Sequence, residues 1–483
     1  MSDEILTDKY VENAVKAIND NFLPKAMEKM QSGLAKATQA SYQNLDEGPE
    51  LRMKAYDIRE KTINNLDVVL TQLAAKVREN GGKVYFAKTA EKAVKYTLDV
   101  AKQHNVKQVV KGKSMVSEEI SLNPALEAQG IEVNETDLGE YIIQLAGEKP
   151  SHIIAPAIHK TREQVGRLFS EKLGVPYTDD PPTLTWIARK ALRDKFLQAD
   201  MGISGCNLAC AETGHMTVVS NEGNIRMATT LPKVHVAIMG MERVVPNLED
   251  HDILFRLLSR GAAAQKLGGC VSYIGGPGGP DFPDGPQEFH LVILDNGRSR
   301  ILADPKFREI LCCIRCSACL NACPVYGKIG GHAYGATYCG PIGAVLTPLM
   351  VGMNKAKDLC LGETLCGACQ QACSVNINLP RMLLELRYRL AYGDDDWQTK
   401  QVSPIEKTLH QAWAFLAGHP ALYRAFLKAG AVGQKIFPRS RGMIRTMPGP
   451  GAGWTRDRDI KPLADTPFRE RFKTLSTKKS DRG

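Results

Sequence analysis

The chain has 483 residues, of which 43% are hydrophobic and 24% charged, a composition typical of a globular protein of two to four domains. No apolar run is long enough to span a bilayer, and the first residues lack the basic and apolar segments of a signal peptide, so the sequence predicts a cytoplasmic protein. The net charge of +9 is not accompanied by a recognised nucleic-acid-binding motif, which argues against nucleic acid as a partner.

Residues 1–80 are predicted to form an N-terminal helical segment. Its clearest signal is an apolar stripe at spacings of three and four residues, made by Ile63, Leu66, Leu70, Leu73 and Val77. The stretch Asn80, Gly81 and Gly82 then ends the pattern in a way common for helices. We interpret this segment as a packing element without chemistry of its own.

Residues 81–303 alternate between short strands and helices, which predicts an α/β domain with a largely parallel sheet. The predicted strands cover residues 83–87, 106–110, 131–133, 152–157, 216–220, 225–229, 234–240, 271–274 and 289–295. The predicted helices cover residues 89–104, 161–173, 183–199 and 250–267. Residues 221–223 predict a hairpin turn, and the glycine- and proline-rich residues 275–286 predict a loop.

Residues 304–394 contain two cysteine runs. The first run consists of Cys313, Cys316, Cys319 and Cys323, and the second of Cys366, Cys369 and Cys373. The first run, with Pro324 after it, has the bacterial ferredoxin spacing, in which three thiolates hold one 4Fe–4S cluster and the fourth reaches a second cluster. The sequence therefore predicts a ferredoxin-type module with two 4Fe–4S clusters.

Zinc ligation and disulfide bonding fit these cysteines less well. A zinc site needs four ligands, usually in two pairs, and seven cysteines at these spacings match no common zinc arrangement. Disulfides would require an oxidising compartment and are typical of small secreted chains. Iron–sulfur ligation is the remaining interpretation.

Residues 395–483 are predicted to form a basic, helical C-terminal region. Residues 424–445 contain six basic residues and no acidic one, and residues 456–483 contain nine basic against five acidic. Such a surface could bind an acidic partner or make peripheral contact with an anionic membrane, or it could simply be solvated. The last ten residues are predicted to be disordered.

Several further motifs occur in one order along the chain. They are residues 111–119 (KGKSMVSEE), 135–142 (ETDLGEYI), 203–207 (ISGCN), 211–214 (AETG), 221–224 (NEGN), 295–298 (DNGR) and 330–335 (GGHAYG). Together with the cysteine runs, they resemble the iron–sulfur subunit of the bacterial three-protein lactate-utilisation system. The resemblance covers residues from about 50 to 395 and is weaker in the tail.

The resemblance implies a fold and a role. The fold is a lactate-utilisation α/β domain, similar to the CoA-transferase and sugar-phosphate-isomerase superfamily, followed by an α-helical ferredoxin-like module and a helical C-terminal tail. The role is electron transport while L-lactate is oxidised to pyruvate, in a complex with other subunits. The implied ligands are Cys313, Cys316, Cys319 and Cys373 for one cluster, and Cys323, Cys366 and Cys369 for the other.

One coordination site of the second cluster is left open. A full second motif would have a cysteine three residues before Cys366, where this chain has Glu363. Glu363, Cys339, Cys360 or a small bound molecule could fill the site, or the cluster could hold three irons. Cys312 is expected to point elsewhere, and three distant cysteines are expected to be small buried apolar residues: Cys206, Cys210 and Cys270.

The α/β domain contains two candidate sites. Lys111, Lys113 and Ser114 follow a predicted strand and could bind a phosphate or carboxylate, although a strand-to-helix turn with exposed lysines fits them equally well. Glu212 lies among glycines and, given the superfamily resemblance, is the candidate catalytic carboxylate. A glutamate held by backbone amides in a turn is the competing interpretation.

The histidines show no metal-ligand spacing, and most are expected to be structural or on the surface. His332, between the two cysteine runs, is the exception: it is predicted to donate a hydrogen bond near a cluster sulfur.

Two classes of function remain. The first is an electron-transfer subunit whose partners are the other subunits of a lactate-oxidising complex and an unidentified electron acceptor. No Gly-x-Gly-x-x-Gly flavin fingerprint occurs in a strand-to-helix context, so the substrate-oxidising centre is expected in a partner. In the alternative, the α/β domain is itself an acyl- or CoA-transfer catalyst, or a carboxylate-binding module, and the clusters are structural.

Overall fold

The computed structural model describes residues 7–45, 47–279, 284–400, 403–437, 439–440, 442–456 and 458–473. The chain divides into two compact units, residues 1–401 and 402–483. The finer boundaries expected after residues 80, 303 and 394 stay predictions. The expected disorder of the last ten residues concerns a segment outside the described residues.

The first unit contains ten strands and nineteen α-helices in its described residues. The strands are β1 (Lys83–Ala87), β2 (Gln108–Lys111), β3 (Glu132–Glu135), β4 (Met201–Ser204), β5 (Leu208–Cys210), β6 (Met216–Ser220), β7 (Val234–Gly240), β8 (Val244–Val245), β9 (Cys270–Ile274) and β10 (Glu288–Leu294). The helices before the cysteine runs are α1 (Tyr10–Ile18), α2 (Leu23–Gln43), α3 (Gly48–Asn64), α4 (Leu66–Glu79), α5 (Ala90–Gln103), α6 (Met115–Glu119), α7 (Leu122–Glu127), α8 (Leu138–Ala146), α9 (Arg162–Leu173), α10 (Pro181–Gln198), α11 (Asn224–Thr230), α12 (Leu248–Ala263) and α13 (Arg298–Ala303). Those around the runs are α14 (Ala318–Ala322), α15 (Tyr326–Ile329), α16 (Gly340–Val351), α17 (Lys357–Leu361), α18 (Ala368–Ala372) and α19 (Leu379–Tyr392).

Six strands form a parallel sheet in the order β1-β10-β7-β4-β2-β3. In β10, Val292 and Leu294 pack with α5 and α7 on one face of the sheet, while Leu291 and Ile293 pack with α4 on the other. Because both faces are covered, nearly every residue of β7 and β10 is buried, which is typical of parallel strands. The predicted α/β architecture with a parallel sheet is confirmed.

Four shorter strands form a second sheet in the order β8-β5-β6-β9. In this sheet β6 pairs antiparallel with β9. The hairpin predicted around residues 221–223 is therefore wrong: β6 runs into helix α11, and the predicted strand 225–229 lies in that helix. Helix α11 packs directly on β4, where a Cβ at Gly202 would overlap the carbonyl oxygen of Ala228.

The predicted strand at 152–157 is also wrong. Residues 151–154 form bends and residues 156–159 a turn. The Nδ1 atom of His152 accepts hydrogen bonds from the backbone N–H groups of Ile154 and Ala155, both at 3.0 Å. These bonds replace the ladder that a strand would need.

The N-terminal helices pack against the cysteine runs. Gln31 on α2 donates hydrogen bonds to the carbonyl oxygens of Leu320 and Cys323, both at 2.9 Å. Arg52 on α3 donates to the carbonyl oxygen of Cys373 at 3.0 Å. The helical prediction for this segment is confirmed, and the segment also fixes the backbone at the last cysteine of each run.

Two buried arginines connect the sheets to the first cysteine run. Arg59 is fully buried and donates to the carbonyl oxygens of Val244 at 2.7 Å and Cys312 at 3.3 Å. Burial lowers the pKa of Arg59 to about 10, which still leaves it charged. Arg243 donates to the carbonyl oxygens of Cys313 and Ile314, at 3.0 and 3.1 Å.

The second unit is small and mostly helical. Its described elements are α20 (Pro404–Gly418), α21 (Pro420–Gly433), β11 (Arg439–Ser440), β12 (Met443–Ile444) and α22 (Ala452–Thr455). Trp413 on α20 packs edge-on against Tyr423 and Phe426 of α21, with ring centroids 6.2 and 6.1 Å apart. Among the described residues of the whole chain, no helix combines the length and hydropathy needed to cross a bilayer.

Candidate iron–sulfur site

The two cysteine runs fold as copies of each other. Equivalent residues lie 50 positions apart: Cys316 and Cys366, Cys319 and Cys369, Cys323 and Cys373. Each run continues from a left-handed residue into a short helix, α14 in the first and α18 in the second, and these helices pack together. The repeat brings the two runs side by side.

Left-handed backbone shapes each run around its thiols. Arg315 and Ser317 have φ of 58° and 59°, and the equivalent Leu365 and Gly367 have φ of 56° and 82°. Such a backbone turns back on itself, so that thiols and N–H groups can face the same point.

Backbone N–H groups donate to three of the sulfurs. The N–H of Arg315 donates to Cys313 at 3.3 Å. The N–H of Tyr326 donates to Cys323 at 3.4 Å. The N–H of Ile377 donates to Cys373 at 3.3 Å. Such donors stabilise the negative charge of a cluster-bound thiolate.

The first group of thiols contains Cys313, Cys316, Cys319 and Cys373. Burial raises the pKa of Cys319 well above its ordinary value, and the nearby thiols of the other three raise it further. The pKa of Cys373 is likewise raised by burial and then by Cys316 and Cys313. Four buried or half-buried thiols that share one electrostatic environment form a donor set of the kind a 4Fe–4S cluster requires.

The second group contains Cys323, Cys366 and Cys369 together with the carboxylate of Glu363. Burial raises the pKa of Cys369 to about 11, followed by the effects of Glu363 and Cys366. Glu363 itself is 7% exposed, and its Oε2 lies 3.5 Å from the sulfur of Cys323. Cys366 and Cys369 thus share Glu363 as a neighbour with Cys323, and the assignment of the seven cysteines to two clusters stays a prediction.

A cluster and a single metal ion require different spacings of their ligands. Within the described residues, no three or more His, Cys, Asp or Glu side chains come together in a geometry suited to a single metal ion. A 4Fe–4S cluster separates its thiolates over four iron corners, so its ligands are spread wider than those of one ion. The two groups also adjoin, because Cys369 is among the thiols that raise the pKa of Cys319.

The other cysteines of the module have polar partners outside the two groups. The thiol of Cys360 donates to the carbonyl oxygen of Lys357 at 3.1 Å, and the pKa of Cys339 is raised to about 12 by burial beside Tyr326. Cys312 is buried against Arg59, as expected for a side chain that points elsewhere. Of the three distant cysteines, Cys210 is buried whereas Cys206 and Cys270 are half-buried.

The prediction for His332 is wrong. Its side chain is exposed, its Nε2 lies 2.6 Å from the carbonyl oxygen of Lys149, and its ring packs edge-on against His159. The hydroxyl near a thiol is that of Ser374, 3.1 Å from the sulfur of Cys316 and 2.6 Å from the hydroxyl of Tyr42. The 50-residue repeat aligns Ser374 with Pro324, since each directly follows the last cysteine of its run, and this position is the sequence signal for Ser374. Tyr42 lies hundreds of residues away in the chain and has no such signal.

Of the two lysines of the candidate anion site, Lys111 is buried and Lys113 is half-buried. Lys111 is fully buried, with its Nζ 2.8 Å from Oε1 of Glu135. Lys113 lies 3.5 Å from Glu140. The Ser114 hydroxyl accepts from the N–H of Ser117 at 3.3 Å and caps α6. The expectation of a serine cap is met, the expectation of exposed lysines is wrong, and an anion site stays a prediction.

A cavity of about 460 Å³ is lined by Glu135 and Glu140, the ion-pair partners of these lysines. Its lining includes Glu118 and Glu140 from the α/β domain and Tyr338 and Cys339 from the cysteine module. Burial raises the pKa of Glu118 to about 7 and that of Glu140 to about 8. Glu118, Glu135 and Glu140 lie on three different elements, α6, β3 and α8, so the fold and not the local sequence brings them together.

Glu212 lies on the surface at the start of α12. Its Oε2 accepts a hydrogen bond from the N–H of Leu248 at 3.0 Å, beside the Asn247 cap of that helix. This contact is the one described by the competing interpretation, a glutamate held by a backbone amide. A catalytic role for Glu212 stays a prediction.

Comparison with known proteins places this geometry in a family. The family model for the LUD domain matches residues 70–294, and that for the 4Fe-4S dicluster domain matches residues 309–377, which contain all seven cysteines of the two groups. Lactate utilization protein B of Bacillus licheniformis is 43% identical over 483 residues, covering all of both chains. This chain belongs to the lactate utilization protein B family.

A second relative and one solved structure are also similar to this chain. Lactate utilization protein B of Bacillus cereus is 44% identical over 473 residues, covering 98% of each chain. A crystal structure of a duf162 family protein from Deinococcus radiodurans matches 47% of this chain and 98% of its own, at 13% identity and a TM-score of 0.28. The last similarity is too weak to carry an argument. The membership in the family rests on the full-length relatives.

Proposed function

We propose that this chain is an iron–sulfur electron-transfer subunit that acts while L-lactate is oxidised to pyruvate, with two 4Fe–4S clusters as its electron carriers. The observation that carries the proposal is the presence of two donor groups that adjoin at Cys319 and Cys369. The 4Fe-4S dicluster match supports the cofactor, and the names of the full-length relatives support the link to lactate.

The two-electron oxidation of lactate suits a pair of one-electron carriers. Oxidation of lactate to pyruvate releases two electrons and two protons, and each bound 4Fe–4S cluster supplies a one-electron redox step. The chain's own contribution is to hold the clusters with thiolates, to place N–H donors at three sulfurs, and to bury most of the thiols away from water. Burial and hydrogen bonds are the means by which a protein sets the reduction potential.

We propose that partner subunits supply the lactate-oxidising centre and that an acceptor of unidentified chemistry takes the electrons. The second unit supports the existence of a docking surface. Helices α20 and α21 bury none of their side chains, and Ile405, Trp413 and Phe415 are more than half exposed. Basic residues such as Arg424 and Lys428 on α21 would suit an acidic partner, with peripheral membrane contact as the other outcome.

The finer fold assignment is also a proposal. We assign the α/β domain, residues 81–303, to the CoA-transferase and sugar-phosphate-isomerase superfamily, with the cluster module at 304–394 and the basic region from 395 onward. The six-stranded parallel sheet covered on both faces supports the first assignment. An experimental structure that fails to superpose on that superfamily would contradict it.

A second candidate function is acyl or CoA transfer, or carboxylate binding, by the α/β domain. The observation in its favour is the cavity lined by Glu118, Glu135 and Glu140. Glu212 remains the residue named for it by resemblance, although its carboxylate caps α12.

Anaerobic reconstitution tests the proposed function. We expect about eight irons per chain and EPR signals of two reducible clusters. Reconstituted chain mixed with its partner subunits should then support lactate-dependent dye reduction, and omission of this chain should abolish it. A chain that binds iron without any reducible cluster, or a dye reduction that proceeds equally without this chain, would contradict the proposal.

A further inference from the structure

We propose that Glu363 is the fourth ligand of the second cluster, so that this cluster is held by three thiolates and one carboxylate oxygen. The inference rests on the proposed two-cluster function and deepens it. Four observations support it: the repeat between the runs, the burial of the carboxylate, its contacts, and the positions of the competing cysteines.

The repeat places Glu363 at the position of a ligand. Glu363 lies 50 residues after Cys313, at the same offset that relates every cysteine of the second run to one of the first. The backbone repeats as well, since the residue two positions later is left-handed in both runs, Arg315 at 58° and Leu365 at 56°. Glu363 in the second run is therefore the equivalent of Cys313, the first predicted ligand in the first run.

The carboxylate is buried without a counter-ion on its oxygens. Glu363 is 7% exposed, and none of the ion pairs among the described residues involves its side chain. Arg387 is nearby, but its guanidinium donates to the carbonyl oxygens of Cys360 and Glu363, at 2.7 and 2.6 Å. A charged carboxylate buried next to thiolates is unfavourable, so the group either stays protonated or has a cation between itself and the sulfurs.

Its two oxygens have different surroundings. Oε1 accepts a hydrogen bond from the hydroxyl of Tyr334 at 3.0 Å. Oε2 accepts a hydrogen bond from the thiol of Cys323, with a sulfur-to-oxygen distance of 3.5 Å. Tyr334 is itself fully buried and packs edge-on against Tyr10. One oxygen is thus held by a fixed donor, while the other is directed at a predicted ligand of the second cluster.

The competing cysteines face other groups. The Cys360 thiol donates to the carbonyl oxygen of Lys357 at 3.1 Å. Cys339 lies beside Tyr326 and lines the cavity of the α/β domain. Neither belongs to the electrostatic neighbourhood of Cys369, which contains Glu363 and Cys366. A three-iron cluster is the remaining alternative, and it would leave the buried carboxylate with only its hydrogen bonds from Tyr334 and Cys323.

The test compares four variants of the full chain after anaerobic reconstitution. They are Glu363→Ala, Glu363→Gln, Cys360→Ser and, as a matched control at the equivalent position of the repeat, Cys313→Ala. The measurements are iron and sulfide per chain, and EPR of the oxidised and reduced protein. Circular dichroism checks folding, and Glu363→Gln preserves the shape of the side chain if Glu363→Ala does not fold.

We expect Glu363→Ala and Glu363→Gln to lose about one iron per chain and to show a three-iron signal when oxidised, with the first cluster unchanged. Cys313→Ala should instead alter the first cluster, and Cys360→Ser should match the unmodified chain. Electron–nuclear double resonance on chain labelled with ¹³C-carboxyl glutamate should detect coupling to the second cluster, and Glu363→Gln should remove it.

Two outcomes would overturn the inference. One is an unchanged iron content and an unchanged EPR spectrum in both Glu363 variants. The other is loss of the second cluster's fourth iron in Cys360→Ser. If the unmodified chain forms no second cluster at all, the proposed two-cluster function fails, and the Cys313→Ala result shows whether the first cluster still assembles.

Discussion

At the residue scale, two hydroxyl groups lie close to the thiol of Cys316. Ser374 lies 3.1 Å from the sulfur of Cys316, and the hydroxyl of Tyr42 lies 2.6 Å from that of Ser374. A hydrogen bond to a cluster sulfur favours the reduced, more negative state of the cluster. We therefore predict that this pair of residues, rather than His332, supplies the hydrogen bond to the first cluster.

Replacing Ser374 by alanine should therefore lower the reduction potential of the first cluster. A loss of several tens of millivolts is expected, since about 59 mV corresponds to a tenfold change in a one-electron equilibrium. The measurement is a redox titration followed by EPR. Tyr42→Phe should cause a smaller shift in the same direction. Tyr56→Phe is the matched control, because that hydroxyl donates to Glu60 instead; equal potentials in all three variants would contradict the assignment.

Glu212 offers a second prediction at the same scale. Glu212→Gln keeps an oxygen that can accept from the N–H of Leu248, so the start of α12 should be preserved. We expect unchanged iron content and unchanged lactate-dependent dye reduction in the reconstituted complex. Loss of turnover with full cluster content would instead favour the catalytic alternative for the α/β domain.

At the element scale, the turn between β2 and α6 concentrates charge inside the protein. Lys111 and Lys113 at the end of β2 face Glu135 at the end of β3 and Glu140 on α8. The carboxyl ends of neighbouring parallel strands meet at one edge of the sheet, which brings these groups together. The sequence showed the lysines but not their partners, because a pairing between strands depends on the order of the sheet.

This cluster predicts a pH-dependent stability. Burial raises the pKa of Glu140 to about 8, whereas an unfolded glutamate titrates near 4.5. The folded state therefore holds a proton that the unfolded state releases, and stability falls as the pH rises from about 5 to 8. Glu140→Gln should weaken this dependence, by up to about 1.4 kcal/mol per pH unit for one proton.

The measurement is the Tm of the reconstituted chain at several pH values under anaerobic conditions. Glu132→Gln serves as the control, because Glu132 lies on β3, the strand that carries Glu135, but forms an exposed pair with Lys195 at 2.6 Å. If Glu140→Gln and the unmodified chain lose stability in parallel across this range, the raised pKa of Glu140 is wrong.

At the scale of the whole molecule, the donor groups depend on segments far apart in the chain. Arg59 on α3 and Arg243 before β8 both bind carbonyl oxygens at the entrance of the first cysteine run. Gln31 and Arg52 bind carbonyl oxygens at the ends of the two runs. All of these groups, and all seven cysteines, belong to the first unit, which ends at residue 401.

Removal of residues 402–483 should therefore leave the clusters intact. We expect the shortened chain to reconstitute with the same iron content and EPR spectrum as the full chain, and to lose binding to partner subunits. Co-purification under anaerobic conditions, together with iron analysis, measures both effects. A shortened chain that loses a cluster would show that the second unit contributes to the site.

Much of the fold followed from local patterns. Helices α5 and α9 lie within the predicted helices at 89–104 and 161–173, and strands β7 and β10 match the predicted strands at 234–240 and 289–295. The errors at residues 152–157 and 225–229 occurred in short apolar runs, where periodicity does not distinguish a strand from a helix or a turn. At residues 152–157, hydrogen bonds to the side chain of His152 favoured a turn over a strand. At residues 225–229, the helix packs against Gly202 of β4.

The sequence alone determined the number and spacing of the thiols, the parallel sheet and the membership in a family. Each of these is encoded either in residues that are close in the chain or in a long ordered set of motifs. Only the tertiary structure decided that Glu363 faces the second thiol group, that Ser374 and Tyr42 lie beside the first, and that Lys111 is buried. These contacts join residues from different elements, and packing between elements sets them.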